Sequence, residues 1–269
     1  MKIGFIGIGN MGCAILRGFL NGGFNNENIF IYDVNIDKCE SIKNQYKINV
    51  CSNLEYLIKE VNLLILAVKP DVILNLLSNV KEHIIKFKPT IVSIAAGTEI
   101  SKISDAIGDK EISIFRVMPN INAEISHSTS SYCYVNLEQS EVDKIVSLFK
   151  SIGSVYYIPE EKFNIFTAIA GCGPAYVYLF LDSMAKGAQK LGLNKKEALN
   201  IAIDTLIGSA KMLKNSDKHC WELIDNVCSP GGITIEGVCI LEENNFQQTI
   251  VKTIEKTVEK DDIIRKGKK

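Results

Sequence analysis

The residues best suited to chemistry lie in Asn226-Val227-Cys228-Ser229-Pro230-Gly231-Gly232-Ile233-Thr234. A Ser-Pro-Gly-Gly turn stops one segment and opens an apolar helix whose first turn holds Thr234. A helix start leaves backbone N–H groups unpaired, presents the positive end of the helix dipole and, here, adds a hydroxyl. Such a junction suits a small carboxylate held beside a polar reacting centre. Threonine near a helix start is also a common capping residue, so Thr234 carries both readings at this point.

The amino terminus carries an independent signal. Gly7-Ile8-Gly9-Asn10-Met11-Gly12 matches G-x-G-x-x-G, follows an expected strand and opens an expected helix. The first glycine permits the tight turn, the second lets backbone approach a pyrophosphate, and the third allows close helix–strand packing. Asp33 ends the next expected strand, where a carboxylate accepts hydrogen bonds from the adenosine ribose and disfavours a 2′-phosphate. Lys38 is close enough in sequence to soften that repulsion, so NADPH and NADH both remain open. Ala67-Val68-Lys69-Pro70 and Ser93-Ile94-Ala95-Ala96-Gly97 follow two further strand patterns and would stand on the same sheet edge, where open α/β folds bind ligands.

Elements to position these residues are visible in the hydrophobic pattern. Short β-branched runs near 2–7, 29–33, 62–68, 90–95 and 112–117 alternate with helical segments, which implies a parallel sheet. Further strands are expected near 130–135 and 154–158, with a helix over 139–150 between them. After Pro159 the pattern turns helical, over 160–192, 195–214, 219–227, 232–243 and 246–264. The expected fold is α/β: a Rossmann-like dinucleotide-binding domain over 1–158 and an all-helical domain over 159–269. Tyr176-Val177-Tyr178-Leu179-Phe180-Leu181 is apolar nearly all round, so the helical half is expected to dimerise.

Bulk properties narrow the classes. A formal net charge of -1 gives no electrostatic case for nucleic acid or an anionic membrane, and the short basic tail Arg265–Lys269 reads as a solvated end. The first residues lead straight into the glycine turn, and the apolar runs fall short of spanning length, so a cytoplasmic protein is expected. The eight cysteines include no Cys-x-x-Cys, which points to reduced, packed thiols and no metal site. His83, His127 and His219 sit in contexts that suit structural or surface roles.

Six motifs occur in order: the glycine turn, Ala67-Val68-Lys69-Pro70, Ser93-Ile94-Ala95-Ala96-Gly97, Arg116-Val117-Met118-Pro119-Asn120, Gly171-Cys172-Gly173-Pro174-Ala175-Tyr176 and Ser229-Pro230-Gly231-Gly232-Ile233-Thr234. Together they resemble the pyrroline-5-carboxylate reductase family over almost the whole chain. The resemblance implies NADPH or NADH as hydride donor and a homodimer through the helical domain, assembled into a larger ring such as a decamer. It implies that Ser229, Gly231, Gly232 and Ile233 hold the substrate carboxylate and that Thr234 meets the ring nitrogen. Asn226, Ala67–Pro70 and Asn53 correspond to cofactor contacts. Glu160 and Glu161 are both candidates for an acidic substrate contact. Cys172, Ile121 and Cys228 depart from the family's usual residues, which puts individual polar contacts in doubt but not the reaction.

The reaction so implied is hydride transfer to the C=N bond of 1-pyrroline-5-carboxylate, giving L-proline. Two alternatives stand beside it. A β-hydroxyacid-type dehydrogenase would need a Gly-x-x-x-Lys helix spacing, which Gly187–Lys190 and Gly208–Lys211 each miss by one residue. A non-catalytic dinucleotide sensor would have no use for the Ser-Pro-Gly-Gly-x-Thr segment.

Overall fold

The computed structural model describes residues 1–265, so the basic tail beyond Arg265 lies outside the described residues. The strands are β1 (Ile3–Ile6), β2 (Ile29–Tyr32), β3 (Asn49–Val50), β4 (Leu63–Leu66), β5 (Thr90–Ser93), β6 (Ile114–Met118), β7 (Ser128–Val135) and β8 (Gly153–Tyr157). They form one sheet in the order β3-β2-β1-β4-β5-β6-β7-β8. Every neighbouring pair is parallel except β6–β7. That exception departs from the parallel pattern expected of the sequence. The link over 119–127 is too short for a crossover helix, so the chain doubles back through a 3-10 turn at Ile121–Ile125.

The central strands β1 and β4 are buried at every position, as strands covered on both faces must be. Their side chains alternate between two cores. Ile3, Phe5, Leu63 and Ile65 pack with Ile15, Leu16 and Phe19 of α1 (Asn10–Asn21) and with Val142, Ile145 and Phe149 of α6 (Gln139–Lys150). Ile6, Leu64 and Leu66 pack on the other face against α3 (Leu54–Glu60), α4 (Pro70–Phe87) and α5 (Ile100–Ile107). Helix α2 (Ile36–Tyr46) adds Cys39 to the first core. Strand β3 has only two residues and shows no alternation to read in the sequence.

The chain divides into two compact units, Met1–Cys172 with the chain from Val258 onward, and Gly173–Thr257. The division thus falls later than the 158/159 junction read from the sequence. Residues 160–172 pack on the sheet unit through buried Phe163, Ala168 and Ala170. They do not run on into residues 173–190 as one regular helix, which the pattern over 160–192 suggests. A short helix α7 (Phe163–Phe166) widens into a π-turn at Thr167–Gly171, where the Cys172 N–H bonds to the Thr167 carbonyl. Pro174 explains the break, because it has no N–H for the Ala170 carbonyl. The buried Asn120 amide donates to that carbonyl instead, at 2.9 Å.

The second unit consists of α8 (Gly173–Lys190), α9 (Lys195–Lys214), α10 (Cys220–Val227), α11 (Ile233–Glu243) and the first part of α12 (Phe246–Arg265). Gly192, at φ 100°, turns the chain between α8 and α9 as the sequence suggested. Leu181, Ala185, Ala198 and Ala202 are buried, whereas α10, α11 and α12 contain no buried residue. Tyr178, Leu179, Ile201, Met212 and Ile240 are among the large apolar side chains left exposed. One helical run, Glu160–Lys190, also reaches membrane-spanning length and hydropathy, which corrects the expectation that no run does. It is long and apolar enough by length and composition alone.

Candidate active site

The glycine turn lies between β1 and α1, held by a hydrogen bond from Gly7 N–H to the Tyr32 carbonyl at 2.8 Å. Gly7 has φ 94°, and a Cβ there would come within 2.7 Å of the Ala67 carbonyl oxygen. A Cβ on Gly12 would lie 2.6 Å from the Gly7 carbonyl oxygen. Gly9 differs from both: a Cβ there would meet no atom of the chain within 4 Å, so the turn opens to free space at that point. Gly9 caps α1 without any side-chain bond, which leaves the first N–H groups of the helix, at Asn10, Met11 and Gly12, without a capping side chain. Uncapped N–H groups, a helix dipole and open space at a backbone without a side chain together fit a pyrophosphate. Ile8 is buried beneath the turn.

Asp33 is engaged in a way the sequence did not reveal. Its Oδ2 accepts the Ile8 N–H at 2.7 Å, and its Oδ1 accepts the Asn35 N–H at 2.9 Å. The carboxylate therefore ties the glycine turn to the loop after β2. It also lines a cleft of about 400 Å3 with Tyr32, Val34, Ile36, Glu40 and Ser52. Asn53 follows that cleft and caps α3, its Oδ1 accepting the Tyr56 N–H at 2.8 Å.

Ala67 and Val68 pack directly on the glycine turn. Lys69 is exposed and precedes α4, where Pro70 takes the first helical position, as a residue with no N–H can. Ala95 is buried, Ala96 is exposed and Gly97 has φ 70°, so the end of β5 is an open, small-residue tip on the same sheet edge. Burial sets the ionisation of nearby thiols: Cys51 is pushed up to about 11 and Cys133 to about 12. Glu99 beyond the tip is held below the usual carboxylate range, chiefly by its hydrogen bond from Arg265.

Glu160, one of the two acidic candidates, is paired within the sheet unit. Its Oε1 accepts from Arg116 Nη1 at 2.7 Å and from the Ile100 N–H at 2.8 Å. Glu161 is exposed. Pairing between residues 44 apart leaves no trace in local pattern, so sequence could not separate them. His219 caps α10, its Nδ1 accepting the Trp221 N–H, and His127 Nδ1 contacts the Ile125 carbonyl. These are structural uses. Among the described residues no group of His, Cys, Asp and Glu could hold a metal.

In the helical unit, Gly231 has φ 65°, which only a residue without a Cβ adopts readily, and the Gly232 N–H closes the turn on the Ser229 carbonyl at 2.9 Å. Helix α11 starts at Ile233 with Gly232 as its cap and no side-chain bond, so its leading N–H groups are free of a capping side chain. Ser229 is exposed and Ile233 is 94% exposed. Thr234 is half-buried and lies in the first turn. Other helical threonines, Thr205, Thr249 and Thr253, spend their hydroxyls on the carbonyl four residues back. Thr234 has no helical turn behind it to take that bond. It lines a groove of about 690 Å3 together with Asn226, Cys228, Met212, Ile224 and Val238. Asn226 and Thr234 thus meet on one groove, with Ser229, Gly231 and Gly232 forming the turn between them.

A glycine turn on a doubly wound sheet, followed by a helical unit with wide apolar faces, defines a dinucleotide-dependent oxidoreductase with a helical association domain. Residues 160–263 match the family model described as pyrroline-5-carboxylate reductase dimerisation, and residues 2–97 match that of NADP oxidoreductase, coenzyme F420-dependent. The chain is 36% identical to the pyrroline-5-carboxylate reductase of Aquifex aeolicus (strain VF5), over 97% of this chain and 96% of the relative. It is 33% identical to that of Escherichia coli (strain K12), over 99% of each. The crystal structure of Plasmodium falciparum pyrroline carboxylate reductase with NADP bound superposes with a TM-score of 0.85 at 34% identity, covering 97% of both chains. The chain belongs to the pyrroline-5-carboxylate reductase family.

Proposed function

We propose that this protein reduces 1-pyrroline-5-carboxylate to L-proline, the closing step of proline synthesis, with NADPH or NADH. The observation that carries the reading is the uncapped start of α11, with Thr234 and Asn226 sharing a groove beside it. The bound dinucleotide supplies the hydride. The protein's own contribution is to bind, orient and polarise. Free N–H groups at the start of α11, with the Ser229 hydroxyl and the Gly231–Gly232 backbone, hold the substrate carboxylate without an arginine. Thr234 Oγ1 meets the ring nitrogen, because an iminium accepts hydride far better than a neutral imine. A threonine hydroxyl is too weak an acid to be a free proton source, so solvent provides the proton.

Gly7–Gly12 would hold the pyrophosphate, Asp33 and Asn53 the adenosine end, and Ala67–Pro70 and Ala95–Gly97 would complete the cofactor site of the sheet unit; Asn226, in the helical unit, is a further proposed cofactor contact. By function the chain divides at 158/159, with substrate binding and dimerisation in the second part. The dimerisation model and the exposed apolar helices support a homo-oligomer; we read it as a homodimer, assembled into a larger ring such as a decamer, in the cytoplasm. The sensor and the secondary-alcohol dehydrogenase have no supporting observation.

The test is a steady-state assay with 1-pyrroline-5-carboxylate and each cofactor in parallel. Cofactor oxidation with proline as product is expected. A folded protein that binds dinucleotide without turnover would overturn the reading.

A further inference from the structure

The loop after β5 carries Ala95, Ala96 and Gly97 and ends at Ile100, the first residue of α5. Its start is fixed by the sheet, where the Ile94 N–H bonds to the Leu66 carbonyl at 3.4 Å and the Ala95 N–H to Ser93 Oγ at 3.4 Å. Its end has no such ladder. As the first residue of a helix, Ile100 has an N–H with no helical acceptor, and the preceding Glu99 gives α5 no side-chain cap. Glu160 supplies the missing acceptor from another element, taking the Ile100 N–H at 2.8 Å.

The same oxygen takes Arg116 Nη1 at 2.7 Å. Arg116 is 3% exposed in β6, and its guanidinium lies 4.5 Å from the Phe163 ring centroid. A guanidinium is always charged and cannot stay buried without a partner, so Arg116 and Glu160 hold each other in place. An ion pair of this kind could be exchanged for packed apolar residues with little loss of stability, but apolar residues could not hold the Ile100 N–H.

We infer that the Arg116–Glu160 pair is a positioning device for the Ala95–Gly97 loop, which lies two strands from the glycine turn on the side away from Asp33 and so faces the nicotinamide end of a dinucleotide whose adenosine lies at Asp33. The inference rests on the reaction proposed above. Gly97 at φ 70° sets the loop's course, and its far end is held at adjacent residues, Glu99 by Arg265 and Ile100 by Glu160. Hydride transfer is sensitive to donor–acceptor geometry, and a displacement of about 1 Å costs about 10²-fold in rate. Most of the cofactor's grip lies elsewhere, at the glycine turn. Releasing the loop therefore slows the chemical step and leaves dinucleotide affinity nearly unchanged.

The test compares the wild type with a full-length variant combining Arg116→Met and Glu160→Ala, which removes both charges so that neither is stranded. Melting temperature, NADPH affinity by fluorescence, kcat, and the isotope effect with 4-deuterated NADPH are measured. The expected result is a folded protein with NADPH Kd within about threefold, kcat lower by about tenfold or more, and a larger isotope effect. A folded variant with kcat within about twofold of wild type overturns the inference. Should the double variant fail to fold, Ile100→Pro decides by the same criteria. It removes the anchored N–H, at a helix position that tolerates proline, and trims the half-buried Ile100 side chain, so Ile100→Val serves as the side-chain control. Wild type that binds NADPH but does not oxidise it with the imine overturns the reaction itself, and the positioning role with it. Turnover by wild type with an unaffected variant overturns the positioning role alone.

Discussion

Replacing Gly9 by alanine separates the fold of the glycine turn from its use. The backbone there, φ -65° and ψ -171°, is open to alanine, and the added Cβ meets nothing within 4 Å. At compatible positions Gly→Ala stabilises by about 0.4–1 kcal/mol through the unfolded chain, while alanine is a poorer helix cap than glycine by a comparable amount. The net change in stability should stay within about 0.5 kcal/mol. Binding should respond differently. The methyl projects into the space where a pyrophosphate approaches the N–H groups, and losing one charge-assisted bond costs about 1.5–3 kcal/mol, or about 10- to 100-fold in Kd. Gly12→Ala is the control. Its Cβ would lie 2.6 Å from the Gly7 carbonyl oxygen and 3.2 Å from Ala67 Cβ, inside the turn itself. Backbone must move, so overpacking of about 1–3 kcal/mol is expected along with weaker binding. Thermal melting and NADPH fluorescence titration read the two effects. A Gly9→Ala protein that melts normally and binds NADPH like wild type would refute the placement of the pyrophosphate at this turn.

The same geometry sets other expectations. Thr234→Ala should lower kcat/KM by about 10²-fold or more with the fold intact, and a change below about threefold would remove its hydroxyl from the mechanism. Glu99 has a folded-state pKa depressed by Arg265, so its stabilising contribution is present above the unfolded carboxylate pKa and is lost as pH falls through the folded value. Thermal melting of Glu99→Gln should therefore fall below wild type near neutral pH and converge with it in acid; a constant difference at all pH values would contradict the ion pair. Buried Cys51 and Cys133, with thiols pushed up to about 11 and about 12, should resist alkylation at pH 8 until denaturant is added. Peptide mass spectrometry before and after unfolding would detect the difference, and rapid labelling of either in the native protein would contradict their burial.

How far the sequence could be read depended on the distance over which each feature is encoded. The glycine turn, the strand tips at Ala67–Pro70 and Ala95–Gly97, and the turn before α11 are contiguous, and each appears where its motif stands. Strands such as Leu63–Leu66 and helices such as α9 declare themselves by hydrophobic period. Long-range partners stayed hidden. A ribose role for Asp33 is legible in the sequence, but not its bonds to the Ile8 and Asn35 N–H groups, which tie it to the glycine turn. Glu160 and Glu161 are indistinguishable until Arg116 selects one. The helical run expected over 160–192 is present but carries a π-turn ahead of Pro174, whose consequence for Ala170 is offset by an asparagine that lies 50 residues earlier.

The bare flanks of α10, α11 and α12 mean that dilution is itself a perturbation of this molecule. A helix with no buried residue draws its stability from whatever covers it, so the second unit's persistence is a mass-action quantity as well as an intramolecular one. For a two-state dimer, each tenfold fall in concentration removes about 1.4 kcal/mol from the folded state. At low abundance the groove lined by Asn226 and Thr234 would loosen before the sheet does, and the share of molecules with that groove formed would come to depend on how many molecules are present.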